Sequence, residues 1–290
     1  MTGKLILVGV DGSPESLAAA KLALELAGAA GADCKLMHVV TDFWLWSGMV
    51  RVPADAPGLT EEVVAEAREK MKAEWKAELP ERLLRGLEVE IGRAARILAD
   101  AAAKHDAGLV VLGGKRHTAL ARGFGGSTAR DLLRLSTVPL WVSVKPWPVE
   151  RILVALDLSE ASGPTLAAAE SYAQRLGARL RVLHVVEPPP EALSARSMAS
   201  IRPRALDLDA LREPWEKELE RLRSGRVEFE PALRSGHAAE TIAAEAEDSR
   251  ADLLVLGSHG RGWVDRALIG STTERVLRLL PTSLLIVPKA

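Results

Sequence analysis

The chain has 290 residues, with 38 Lys and Arg against 39 Asp and Glu and a formal net charge of -1. The length suits one large domain or two ordinary ones, and the balanced charge excludes binding of nucleic acid or anionic membranes through bulk positive charge. The single cysteine, Cys34, cannot close an intrachain disulfide. The sequence shows neither a secretory leader nor an apolar stretch of the roughly 18–20 residues that span a bilayer. We therefore expect a cytoplasmic protein with no membrane partner and no nucleic-acid partner.

The sequence contains two copies of one pattern. Asp11 of the first copy aligns with Asp157 of the second, and the alignment continues to the end of each copy. We therefore predict two domains, residues 1–146 and residues 147–290, each of a size that is usual for a single domain. The aligned segments are Leu5–Ser16 with Ile152–Ser162, Cys34–Val40 with Leu180–Val186, and Leu112–Leu133 with Leu256–Leu277.

Short apolar runs alternate with amphipathic segments along each copy, which is typical of parallel βαβ units. Because parallel strands require right-handed crossovers, we predict α/β domains, each a Rossmann-like open parallel sheet of five strands flanked by four helices. Gly177 is expected to end the first helix of the second copy. The elements predicted for that copy are strand Arg151–Leu156, helix Ser159–Leu176, strand Arg179–Val185, helix Leu206–Leu222, strand Arg226–Leu233, helix Ala238–Asp248, strand Asp252–Leu256, a helix from Ser271 and strand Thr282–Val287.

The first copy repeats this order with two differences. It has a longer segment, Thr41–Thr60, after its second strand. It is also expected to lack residues after its third strand, Glu88–Ile91, and so to have no counterpart of Ser235-Gly236-His237.

The loop after the fourth strand of the second copy carries the strongest functional pattern. Gly257 and Gly260 are followed, after nine residues, by Gly270 and Ser271, where a helix is predicted to begin. The first turn of a helix presents unpaired N–H groups and the positive end of its dipole, and Ser or Thr there suits an N-cap. Glycine permits a positive φ and a close approach of ligand to backbone. This spacing, with its partial copy in the first half, favours a phosphate-binding cradle over an ordinary loop.

An aspartate ends the first strand of each copy, Asp11 and Asp157. Ligands of open parallel sheets bind at the carboxyl ends of the strands, where a carboxylate can accept a hydrogen bond from a ribose hydroxyl or an adenine amine, or help to hold a metal. Capping of the following helix is the alternative role. Neither a P-loop nor a Gly-x-Gly-x-x-Gly dinucleotide fingerprint fits the sequence.

The histidines differ in their surroundings. His38 and His184 lie in apolar strand segments and are predicted to be core residues. His259 lies inside the glycine loop, where its backbone is expected to matter more than its ring. Cys34 opens a strand and is expected to be unreactive. No Ser-His-Asp arrangement, paired-cysteine site or HExxH motif stands out, so we assign no catalytic residue and no metal ligand.

The chain resembles the universal stress protein family in its tandem, ATP-binding form. The resemblance covers both copies and rests on the strand that ends in Asp157, on His184-Val185-Val186, and on the spacing Gly257-x2-Gly260-x9-Gly270-Ser271. It implies an ATP site, usually with a divalent cation such as Mg²⁺, an internal pseudo-dimer of the two halves and a homodimer of whole chains. The residues that it implies for the second half are Ala155, Asp157, Val185, Gly257, Ser258, His259, Gly260, Arg261, Gly262, Gly270, Ser271, Thr272 and Thr273.

The resemblance implies a weaker site in the first half. Arg116 replaces the second glycine of the loop. If Gly260 needs a left-handed backbone, an arginine at the equivalent place would cost about 1 kcal/mol or more. We therefore expect the second half to be the better nucleotide site. The first-half candidates are Gly9, Asp11, Val39, Gly113, Gly114, Gly126, Ser127 and Thr128.

These features together predict an ATP-binding regulator of a stress response that lacks strong catalytic activity. Two alternatives remain open. One is a slow ATP-hydrolysing enzyme in which Asp157 and His259 take part, and the other is a nucleotide-free dimerisation module.

Overall fold

A computed structural model describes residues 4–40, 59–115, 127–187, 208–260 and 269–289. The chain divides into two compact units, Met1–Trp147 and Pro148–Lys289. None of the helices in these described ranges combines the length and apolar character that a membrane span requires. The segment Thr41–Thr60, which sets the two copies apart, lies largely outside the described residues.

The first unit is an open sheet of five parallel strands in the order β3-β2-β1-β4-β5. The described strands are β1 (Ile6–Val10), β2 (Cys34–Val40), β3 (Glu88–Ile91), β4 (Leu109–Gly113) and β5 (Leu140–Ser143). The described helices are α1 (Pro14–Ala30), α2 (Leu59–Trp75), α3 (Glu81–Arg85), α4 (Ala94–Lys104) and α5 (Ser127–Leu135). The single-turn helix α3 is an addition to the four helices that the sequence predicts.

The second unit repeats the same sheet, with strand order β10-β9-β6-β7-β8 and parallel pairing throughout. Its described strands are β6 (Arg151–Leu156), β7 (Arg179–Val186), β8 (Phe229–Ser235), β9 (Leu253–Gly257) and β10 (Ser283–Val287). Its described helices are α6 (Ser162–Leu176), α7 (Leu208–Leu222), α8 (Ala238–Asp248) and α9 (Ser271–Leu279). The predicted fold class, an α/β protein with Rossmann-like parallel sheets, is confirmed.

The central strands are buried along their whole length because helices cover both faces of a parallel sheet. Every residue of β1 is buried, and Leu253–Leu256 of β9 are 4% exposed or less. Gly31 and Gly177 end α1 and α6 in the left-handed conformation, with φ of 60° and 62°. The prediction that Gly177 ends its helix is therefore confirmed.

Two elements begin three residues later than the sequence predicts, whereas the other described boundaries of the second unit agree to within one or two residues. Helix α6 begins at Ser162, not Ser159, because a turn held by Asp157 precedes it: the backbone N–H of Ser159 donates to Oδ1 of Asp157 at 3.0 Å. Strand β8 begins at Phe229 instead of Arg226 and continues to Ser235, because its register pairs Phe229 with the early residues of β7. The predicted start of α7 at Leu206 falls outside the described residues.

The expectation that the first copy lacks residues after Ile91 is wrong. Gly92 follows β3 with a φ of 148°, and Gly236 follows β8 with a φ of 153°. The N–H of Gly92 donates to Val40 at 3.1 Å, as that of Gly236 does to Val186 at 3.2 Å. The turn Ile91-Gly92-Arg93 is therefore the counterpart of Ser235-Gly236-His237. The shared Gly-x-Ala-Ala, Gly92–Ala95 in the first copy and Gly236–Ala239 in the second, was the available signal.

Candidate functional site

A cleft of about 470 Å³ lies in the second unit, at the carboxyl ends of β6, β7 and β9 and the first turns of α8 and α9. This is where open parallel sheets bind ligands, and the volume is within the range of small-molecule sites. Arg261 and Gly262 lie outside the described residues. The predicted residues that line the cleft are Ala155, Asp157, Val185, Gly257, His259, Gly260, Gly270, Ser271, Thr272 and Thr273.

The two carboxylate oxygens of Asp157 have different neighbours in this cleft. Its Oδ1 accepts hydrogen bonds from the backbone N–H of Ser159 at 3.0 Å and from the hydroxyl of Ser162 at 3.2 Å. Its Oδ2 faces the glycine loop: a methyl group added at Gly260 would lie 2.7 Å from that oxygen. The carboxylate therefore organises the turn before α6 through one oxygen, which is the structural role that the sequence left open, and borders the loop with the other; its ligand role stays a prediction.

Space accounts for Gly260, and a side chain at Gly257 would also be tight, 3.1 Å from Thr165 Oγ1. Gly257 and Gly260 are absent from the described positive-φ residues, and Gly270 has a φ of -57°. The left-handed backbone that the sequence analysis considered as a condition at Gly260 is therefore not present. Its lack of a side chain matters instead because Asp157 approaches so closely.

The first turn of α9 faces the cleft. Gly270 is the N-cap and makes no side-chain cap bond, so the predicted capping by Ser271 or Thr272 is wrong. The N–H of Gly270 donates to Ser258 O at 2.9 Å, and Thr273 Oγ1 donates to Gly257 O at 2.7 Å. These bonds fix the helix start against the loop, and the N–H groups of a first turn have no partner within their helix. The arrangement suits an anion.

Ser258 lies behind the cleft and does not line it. The residue is only 2% exposed, and its backbone N–H donates to Val287 O at 2.8 Å. Its hydroxyl accepts from the N–H of Lys289 at 3.2 Å and lies 2.7 Å from Nδ1 of His259. Ser258, predicted as a nucleotide contact, therefore has its polar groups engaged within the protein, and it holds the loop against the C-terminal segment.

His184 is a cleft residue that the sequence analysis assigned to the core. Its Nδ1 donates to the carbonyl oxygen of Leu156 at 2.7 Å, and its ring lies 5.1 Å from that of Trp215 in α7. The bond satisfies one ring nitrogen, as expected for a structural histidine, but the residue is only partly buried and lines the cleft. The sequence did place His184 beside Val185, near the carboxyl end of its strand, and this position could have indicated that it lines the cleft.

Several candidate residues of the first half are packed against their neighbours in the first unit. A methyl group added at Gly113 would lie 2.6 Å from the backbone carbon of Glu15, and one added at Gly9 would lie 2.5 Å from Leu112. Gly114 donates its N–H to Ser143 O at 2.8 Å. Val39 is 8% exposed within β2. Ser127 and Thr128 open α5, and Gly126 lies outside the described residues.

Asp11 is held by the turn that follows it. Its Oδ1 accepts from the N–H of Ser13 at 3.0 Å and from the Ser13 hydroxyl at 2.5 Å. Partial burial acts to raise the pKa of Asp11, but hydrogen bonds from Ser13 and Ser16 and the positive charge of Lys115 outweigh it and lower the pKa. Lys115 also lies 3.6 Å from Glu15, so its charge is shared between two carboxylates.

Asp11→Asn is expected to lower the stability of the first unit by less than about 1 kcal/mol at neutral pH. Since the folded-state pKa lies below the ordinary value of 3.8, the carboxylate contributes stability above that value and loses it as the pH falls through the folded-state pKa. Urea unfolding of both proteins at a series of pH values should show a difference that persists to about pH 4 and then vanishes. A difference that grows on acidification would contradict this account.

Cys34 begins β2 and is partly buried. Burial raises the pKa of its thiol to about 12. A thiol with such a pKa is protonated at neutral pH and is a poor nucleophile, in agreement with the expectation from sequence.

Comparison with known proteins identifies a family. The model of the universal stress protein family matches residues 3–145 and again residues 148–288. A universal stress protein of Mycolicibacterium smegmatis is 29% identical and covers 97% of this chain and 96% of its own length. One of Mycobacterium tuberculosis is also 29% identical, over 94% of this chain and 92% of its own. A crystal structure of a universal stress protein from Archaeoglobus fulgidus has a TM-score of 0.64 at 19% identity, covers 100% of both chains and shares the fold.

Proposed function

The chain belongs to the universal stress protein family in its tandem form, and we propose that it acts as an ATP-binding regulator whose nucleotide lies in the cleft of the second unit. One observation carries the proposal: Asp157, Gly260 and the first turn of α9 converge on one cleft at the carboxyl ends of the strands. A carboxylate for a ribose and a helix start for phosphates are the two groups that a nucleotide needs.

Each part of the nucleotide has a counterpart among the cleft residues. The backbone at Ala155 and Val185, with the apolar side chain of Ile242, would receive the adenine. Oδ2 of Asp157 would accept from a ribose hydroxyl, and the N–H groups of Ser271 and its neighbours would hold the phosphates.

Mg²⁺ fits this arrangement as an ion carried by the nucleotide. Within the described ranges no group of three or more His, Cys, Asp or Glu side chains is arranged to hold a metal. Mg²⁺ is usually bound through phosphates and one or two carboxylates, and the cleft offers the carboxylate of Asp157. The ion would neutralise phosphate charge, while the chain's own residues position the nucleotide.

A regulatory role is favoured over hydrolysis by the way Asp157 is held. Two donors fix its Oδ1, one from Ser159 and one from Ser162, which suits a carboxylate that accepts from a ligand rather than one that removes a proton from water. We further propose that the protein works in the cytoplasm and forms a homodimer, and that the first half binds nucleotide weakly or serves as structural support.

Isothermal titration with ATP and Mg²⁺ tests the proposal. Asp157→Asn retains an oxygen for Ser159 but loses the charge at the ribose position, so we expect about a tenfold loss of ATP affinity. Asp11→Asn is the matched control, because it makes the same change at the equivalent place in the first unit and should leave the affinity of the main site unchanged.

Two results would contradict the proposal. A native chain that binds no ATP would favour a nucleotide-free dimerisation module. ATP turnover that disappears in Asp157→Asn would instead favour an enzyme that uses this carboxylate.

A further inference from the structure

We propose that Glu187 selects adenine in the cleft of the second unit: its carboxylate, held against the first turn of α8, accepts a hydrogen bond from the 6-amino group of the base. The inference rests on the proposed function, because it requires ATP in the cleft. It gives a recognition role to a side chain that the glycine spacing and the repeat do not indicate.

Glu187 follows directly after β7 and lines the cleft. Its Oε1 accepts a hydrogen bond from the backbone N–H of Ala238 at 2.9 Å. Ala238 is the first residue of α8, and the N-cap residue His237 makes no side-chain cap bond of its own. A carboxylate from the end of a neighbouring strand therefore caps this helix, where the positive end of the helix dipole stabilises the negative charge.

The position of this carboxylate is set before a ligand binds. The bond to Ala238 holds the end of the side chain. Pro188 follows Glu187 in the sequence, and a proline restricts the residue before it to extended backbone conformations. A polar group that is already oriented loses less conformational entropy when it contacts a ligand. Glu187 is therefore suited to recognition as well as to capping.

The hydrogen-bonding properties of a carboxylate match one group of adenine. Within the described ranges, the bond to Ala238 is the only hydrogen bond of the Glu187 side chain. An ionised carboxylate accepts through both oxygens and donates through neither, so Oε2 can accept from a ligand. Adenine carries one donor group, its 6-amino group, whereas its unsubstituted ring nitrogens are acceptors. The 6-amino group is therefore the part of the base that Glu187 can bind.

The two helix starts at the cleft favour the base near Glu187 and the phosphates away from it. At α9 the N-cap is Gly270, without a side-chain cap bond, so the first turn is available to an anion. At α8 the carboxylate of Glu187 already occupies that place, and a phosphate there would meet a like charge. Ala238 and Ile242 lie one turn apart on α8 and both line the cleft. The carboxylate is therefore close to the apolar side chain that is proposed to receive the adenine.

Glu187→Gln tests the contact because it changes the hydrogen-bonding groups and keeps the shape. Its amide oxygen can still accept from Ala238, which places the NH2 group, a donor, opposite the amino group of adenine. The ligands to compare are ATP and the triphosphate of purine riboside, which has a hydrogen atom in place of the 6-amino group. In isothermal titration with Mg²⁺, the native chain should bind ATP about tenfold more tightly than the analogue. Glu187→Gln should bind the two within about twofold of each other, because its affinity for ATP falls.

Glu240→Gln is the matched control. Glu240 lies in the first turn of the same helix, pairs with Arg275 and is not among the described residues that line the cleft, so this variant should keep the native preference for ATP. A native chain that binds ATP and the analogue equally would overturn this inference alone. A Glu187→Gln variant that keeps the native preference would also overturn it, and equal losses of affinity for both ligands would show that Glu187 only caps α8. A native chain that binds neither ligand would overturn the proposed function as well.

Discussion

Gly260→Val is expected to weaken ATP binding by about a hundredfold, the largest effect of any single change in the cleft. The first carbon of the new side chain would lie 2.7 Å from Oδ2 of Asp157. The carboxylate is tied through Oδ1 to Ser159 and Ser162, so it can move away only by losing those bonds. The remaining methyl groups would occupy space beside the phosphates. The displacement of the carboxylate and the loss of space for the phosphates are each expected to reduce the ATP affinity about tenfold.

The measurement is isothermal titration with ATP and Mg²⁺, and Gly163→Val is the matched control. Gly163 lies in the same unit, and a methyl group added there meets nothing closer than 3.8 Å. This control should bind ATP as the native chain does. Arg116→Val, at the equivalent loop position of the first half, should also have little effect. Equal losses for Gly260→Val and Arg116→Val would refute the ranking of the two halves.

Glu245→Ala is expected to lower the stability of the second unit by about 2–3 kcal/mol. Glu245 of α8 is 5% exposed and lies between two arginines of the sheet. Arg234 Nε is 2.7 Å from its Oε2, and Arg181 Nε is 2.8 Å from its Oε1 at an angle unsuited to a hydrogen bond. Removing the carboxylate leaves both cations without their shared partner. The expected loss is below that of a fully buried pair because Arg234 is 44% exposed and water screens its charge.

Glu240→Ala on the same helix is the control. Its pair with Arg275 is exposed on both sides, so its removal should cost less than about 0.5 kcal/mol. Hydrogen exchange of the amides of β7 and β8 reports the opening free energy of this region separately from the first unit. Equal protection in the two variants would show that the buried carboxylate contributes no more than an ordinary surface pair.

Regular elements were predictable because their signals are local. The bounds of β6 and α8 agree with the sequence prediction residue for residue. Both depend on hydrophobic periodicity and on a glycine or a turn at the end. The Rossmann-like topology follows from the alternation of these elements and the right-handed crossover rule.

The start of α6 was not predictable because it depends on an unusual backbone conformation. Gly12 has a φ of 81° after β1, and its counterpart Leu158 has a φ of 61° after β6. Glycine adopts this conformation freely, but for leucine it costs about 1–2 kcal/mol. The hydrogen bonds of Asp157 hold Leu158 in place, and nothing in a leucine indicates such a turn.

The sequence predicted where the candidate site lies, but it did not predict why these residues are needed there. The spacing of Gly257, Gly260 and Gly270 located the loop, but the reason for Gly260 is the approach of Asp157, a contact between distant parts of the chain. The bonds that turn Ser258 away from the cleft come from the C-terminal segment. Such tertiary contacts leave no local pattern in the sequence.

The central claim is that the glycine loop and the first turn of α9 bind the phosphates of a nucleotide. A crystal structure of the chain grown with ATP and Mg²⁺ tests this most directly. We expect the triphosphate within hydrogen-bond distance of the N–H groups of Gly260 and Ser271, with a ribose hydroxyl on Asp157. Nucleotide bound elsewhere, or an empty second unit at saturating ATP, would contradict it.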